Sequence, residues 1–98
     1  MVGFDEVVEK ITDAMRHVET DAGASPVLVA VVGEFQVKVA KAREHATEGV
    51  PDHDFVVELE QAGDSAKVAA EADAGLSSDA RESVLAAHLA ICKLKAGA

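Results

Sequence analysis

Three observations predict an all-α, up-and-down antiparallel four-helix bundle. Four segments carry apolar residues at three- and four-residue spacing, helix-starting and helix-stopping residues lie between them, and the charge alternates from one segment to the next. A chain of 98 residues suits one domain and at this size buries about 60–65% of its unfolded surface. The expectation is a single helical domain over 1–98, with helices at about 4–22, 26–48, 52–74 and 78–96.

The first segment places Phe4, Val7, Val8, Ile11, Met15 and Val18 along one side, with Asp5, Glu6, Glu9, Lys10, Asp13 and Arg16 between them. That is the pattern of a one-sided amphipathic helix. Its predicted end is near Ala22-Gly23, where a glycine in the left-handed conformation closes a helix. Ser25-Pro26 then supplies an N-cap followed by proline at the first helical position, where its missing N–H costs nothing. The second helix runs to about Glu48 and is stopped by Gly49-Val50-Pro51. Asp52 or Asp54 caps the third, which ends near Gly75, and Ser77 or Ser78 caps the fourth. Asp79 and Glu82 at the start of the fourth helix, with Lys93 and Lys95 at its end, complement its dipole. No internal repeat is read from the residue pattern.

The stretch from Val27 to Ala40 is rich in β-branched residues, and Phe35, Val37 and Val39 alternate with polar neighbours, which is also a strand pattern. Against a strand, Leu28, Val31, Val32, Phe35, Val39, Ala42 and Ala46 form one helical stripe running through it. No second strand candidate lies nearby to satisfy its backbone. At about 100° per residue, Val29, Ala30, Gly33, Val37 and Ala40 collect on a second side. The fourth helix divides likewise, with Ala80, Val84, Ala87, Ile91 and Leu94 on one stripe and Leu85, Leu89 and Cys92 on another. The first and third helices have one stripe each; in the third, Ala62, Gly63, Ala66, Ala69 and Ala70 form a small-residue face suited to close packing.

The chain carries a formal net charge of −9 and has a pI near 4.7. Nucleic acid and anionic membrane surfaces would repel it, so neither is an expected partner. By segment, residues 1–24 carry −4, 25–49 are neutral, 50–75 carry −6 and 76–98 carry +1. An up-and-down ring sets each acidic helix beside two non-acidic ones. The core has 49% hydrophobic but only 3% aromatic residues to draw on, so it is built from Val, Leu, Ile and Ala and gains little area per residue. Extra burial through self-association would help such a core. The single cysteine, Cys92, suits a reducing compartment, and Met1 to Glu6 form no apolar signal segment. The longest apolar run, about 14 residues containing Glu34, falls short of the ~20 that span a bilayer. A cytoplasmic location is the expectation.

His88 and Cys92 lie four residues apart on the fourth helix and share a side, a spacing compatible with two metal ligands. Two ligands do not complete a site, and none of His17, His45, His53 and His88 has an acid three residues before it. The simpler reading makes Cys92 a small packed hydrophobe and His88 a boundary residue. Asp52-His53-Asp54 is read as helix-capping chemistry, and no phosphate-binding loop or catalytic motif stands out. No enzyme activity or cofactor is expected. The predicted function is that of a small acidic interaction or adaptor protein that forms a homodimer or binds a helical partner. Its interface residues are Val29, Gly33, Val37 and Ala40 on helix two and Leu85, Leu89 and Cys92 on helix four. A metal- or cofactor-binding bundle using His88 and Cys92, and an assembly or secretion-type chaperone for a helical client, are the alternatives.

Overall fold

The computed structural model describes residues 3–47 and 51–97. Four helices follow in order: α1 (Phe4–Glu19), α2 (Pro26–Glu44), α3 (His53–Ala72) and α4 (Ser78–Gly97). Each helix packs against two others, α1 against α2 and α4, and α3 against α2 and α4. The backbones of α1 and α3, and of α2 and α4, do not approach each other. This is the four-helix ring predicted, and the supposed strand through Val27 to Val39 is helix from end to end.

The helix starts follow the local chemistry, with one exception. Ser25 caps α2, its Oγ accepting from the Leu28 N–H at 3.2 Å, with Pro26 in the first turn. Ser77, rather than Ser78, caps α4 through the same bond to the Ala80 N–H at 3.2 Å. Asp52 holds the N-cap position of α3, but its side chain makes no capping hydrogen bond; its backbone carbonyl accepts from Phe55 and Val56 instead. α1 stops at Glu19 with Thr20 as C-cap, three residues before the predicted end, and the Thr20 hydroxyl donates to the Arg16 carbonyl at 2.8 Å. α2 ends at Glu44 with His45 as C-cap, where the His45 ring stacks on Phe55 with centroids 4.7 Å apart. α2 thus stops four residues before the predicted Glu48 and leaves Ala46 outside the helix, while the predicted breakers Gly49-Val50 lie outside the described residues.

One feature corrects the sequence reading: the bundle repeats itself. Asp21-Ala22-Gly23-Ala24-Ser25 and Asp73-Ala74-Gly75-Leu76-Ser77 occupy the two loops at one end of the molecule, 52 positions apart. Asp21 accepts from the N–H of its own Gly23 at 2.9 Å and, across the molecule, from that of Ser77 at 2.9 Å. Asp73 does the same with Gly75 at 3.2 Å and Ser25 at 2.8 Å. Each loop therefore braces the helix start of the other. Those bonds to ionised acceptors hold both carboxyls below the ordinary aspartate value, chiefly through Ser77 for Asp21 and Ser25 for Asp73. Between the two acids the backbones meet directly, and a Cβ on Gly75 would lie 2.6 Å from the Gly23 carbonyl oxygen. Close approach, not a left-handed conformation, is why Gly23 is glycine.

Burial keeps the same register. Phe4, Val7, Ile11, Ala14 and Val18 of α1 are buried, and so are Val56, Leu59, Gly63, Ala66 and Ala70 of α3, each 52 positions on. Leu28, Val32, Phe35 and Val39 of α2 correspond in the same way to Ala80, Val84, Ala87 and Ile91 of α4. In the loops Asp, Ala, Gly and Ser recur at matching positions, but in the helices the repeat is masked because several large residues in one hairpin match small ones in the other. Together these side chains form one contiguous core.

Candidate functional site

The helix that carries most of the exposed large apolar residues, α2, also contributes five side chains to the core. α2 buries Leu28, Val32, Phe35, Val39 and Ala42, yet on its outer side Val37 is 58% exposed and Val29 37%, with Ala40 exposed beside them. Val27, at its first turn, is also exposed. Gly33 is half-buried, because the Met15 side chain of α1 reaches to 4.0 Å from where its Cβ would be. On α4, Leu89 is 53% exposed, while Leu85 and Cys92 are half-buried.

The recurrence links these two sets of residues. Gly33, Val37 and Ala40 stand at the positions of Leu85, Leu89 and Cys92, and Val29 stands at that of Arg81. α2 and α4 are diagonal in the ring, so the seven residues form two faces on opposite corners and not one surface. Arg81 has a local task that Val29 lacks: its guanidinium donates to the carbonyls of Ala70 at 3.3 Å and Asp73 at 3.0 Å, satisfying the end of α3.

Between the helices of each hairpin runs a second pair of equivalent places with opposite chemistry. Val8, Thr12, Gln36, Val39, Ala40, Arg43 and Glu44 line a shallow groove of about 390 Å³ between α1 and α2. Their counterparts, 52 positions on, include Glu60, Asp64, His88, Cys92 and Lys95, and these bridge α3 to α4. His88 Nε2 lies 2.7 Å from Asp64 Oδ1, and Lys95 donates to Glu60 at 2.8 Å. The Glu60 hydrogen bond, seconded by its charge, raises the Lys95 ammonium above its ordinary value. On the far side of α2, Lys38 reaches Glu58 of α3 at 3.0 Å; that bond raises Lys38 and lowers Glu58.

His88 and Cys92 do share a side, with Cys92 Sγ 3.8 Å from His88 Nε2. That nitrogen is the one facing Asp64, and the ring edge packs over Gly63, where a Cβ would come to 3.3 Å of His88 Cδ2. For a cysteine nucleophile the base needs one nitrogen for the thiol and the other for an orienting carboxylate. Here both neighbours converge on one nitrogen. Among the described residues no group of three or more His, Cys, Asp or Glu side chains has the arrangement to hold a metal ion. Asp64, the interhelical partner of His88, was not legible from spacing, since it lies 24 positions away on another helix.

No described helix is long and apolar enough to cross a membrane. No family model, curated protein or solved structure matches the chain, so its functional reading rests on the geometry of these faces.

Proposed function

We propose that this chain is a non-enzymatic interaction protein that self-associates through the outward apolar faces of its α2 and α4 helices. The observation that carries this reading is α2 itself. A helix that already fills its share of the core keeps Val29, Val37 and Ala40 in water, and apolar surface beyond a domain's own need marks an interaction face. Gly33 and Ala40 keep that face low, so a facing helix comes close and gains contact along its length.

Replacing Val37 with Glu tests it. The variant is expected to lose the association that the wild type shows in sedimentation at micromolar concentration, while its far-ultraviolet circular dichroism stays unchanged, because Val37 is outside the core. A wild type that is monomeric at every concentration with its helicity intact overturns the proposal.

A further inference from the structure

The outer face of α2 is built to meet a second copy of itself. We infer that two chains pair α2 against α2 in antiparallel orientation about a two-fold axis at the level of Val37 and Lys38; this rests on the self-association proposed above and specifies its geometry.

Charge singles out this face. In a chain of net charge −9, residues 25–49 carry three acids and three bases, so self-contact here avoids the repulsion that acidic α1 and α3 would bring. The charges on α2 are also arranged to complement themselves. Glu34 and Lys41 flank Val37 at nearly equal distances along the helix. Seven residues apart, they differ by only about 20° around its axis. They stand on the same edge of the apolar stripe, both exposed; Glu34 has Lys38 of its own helix at 3.9 Å, and Lys41 forms no ion pair among the described residues. A two-fold axis perpendicular to the helix keeps each edge on its own side and reverses direction along it. Glu34 of one chain then meets Lys41 of the other, twice per dimer, while Val37 meets its own copy at the axis. Gly33 and Ala40 come opposite each other on the other edge, where their small size lets the backbones approach.

The α4 face does not have this property. At the positions of Glu34 and Lys41 it carries Ala86 and Lys93, so an antiparallel α4 pair sets no acid against Lys93. A single helix pair covers less than the ~1,600 Å² of a standard interface, so the association is sought at micromolar and higher concentrations.

A charge-swap series read by sedimentation equilibrium at low salt tests the arrangement. Glu34→Lys and Lys41→Glu, each alone, set like charges against each other at both ends of the seam and are expected to raise the dimer dissociation constant about tenfold. The double variant E34K/K41E restores opposite charges only if the two positions meet across chains, and is expected to return to within about threefold of wild type. A double variant as weak as the singles overturns the antiparallel register. If wild-type association is meanwhile abolished by Val37→Glu, the apolar-face reading stands and only this geometry falls. A wild type that is monomeric throughout removes both.

Discussion

The α1–α2 and α3–α4 hairpins present one backbone plan with two different fillings. At equivalent buried positions the first offers Ile11, Val18, Leu28 and Phe35, and the second Gly63, Ala70, Ala80 and Ala87. At these four positions one hairpin supplies bulk and the other the space for it, whereas at Val7/Leu59, Val32/Val84 and Val39/Ile91 both members are large. Gly63 makes this concrete, since a Cβ there would already lie 3.6 Å from Phe35 Cζ and Ile91 Cδ1 and 3.3 Å from His88. The small residues let α3 and α4 close together and carry the Asp64–His88 and Glu60–Lys95 bridges across their seam. α1 and α2 touch least of the four neighbouring pairs, and the same place between them is an open, partly apolar groove. The same backbone plan thus carries two different seams: polar pairs bridge α3 to α4, and the equivalent place between α1 and α2 stays an open groove.

The largest effect is expected where the two hairpins differ most in volume. Phe35→Ala should cost about 3–5 kcal/mol in urea denaturation, whereas Ala87→Gly at the equivalent position should cost about 1 kcal/mol, mostly helix propensity. Equal losses would break the division into bulk and space. Next come two glycines of the α1–α2 hairpin, one in its loop and one within α2. Gly23→Ala drives a Cβ into the Gly75 carbonyl and should destabilise by about 1–3 kcal/mol, while Gly33→Ala, with only Met15 near it, should be neutral or gain up to about 1 kcal/mol. A silent Gly23→Ala in the same assay would mean that the loops do not clasp.

The smallest effect concerns the clasp acids, whose folded values lie below the ordinary 3.8. Lowered carboxylates contribute stability that is complete above that value and is lost as the pH falls through their folded values. The double variant D21N/D73N should therefore melt below wild type near neutral pH, with the gap narrowing once the pH drops under about 3.8. Thermal scans across that range check it, and a gap that does not depend on pH would mean the carboxylate charge contributes nothing.

Much of this architecture is legible along the chain because its causes are local. Ser25-Pro26 starts α2 by side-chain capping and a preset φ, and neither needs a distant residue. The stripe from Leu28 to Ala42 selects helix over strand by its period alone. Where the cause lies elsewhere in the chain, the local pattern carries little signal. Ala14 is fully buried, yet a residue so small adds little to a hydrophobic stripe. The recurrence is visible in identity only over the two short loops, because along the helices buried positions match in register while most of their residues differ.

The residues by themselves determined four helices, two of their caps, the core side of each and an apolar excess on α2 and α4, since periodicity and capping act within a turn or two. Only the tertiary structure decided that α2 and α4 are diagonal, that Gly23 is small for the sake of Gly75, and that Asp21 and Asp73 brace each other's neighbouring helices. It also decided that His88 faces Asp64. Those contacts join positions 24 to 56 residues apart, and a local pattern carries no record of which distant segment the chain brings back beside it.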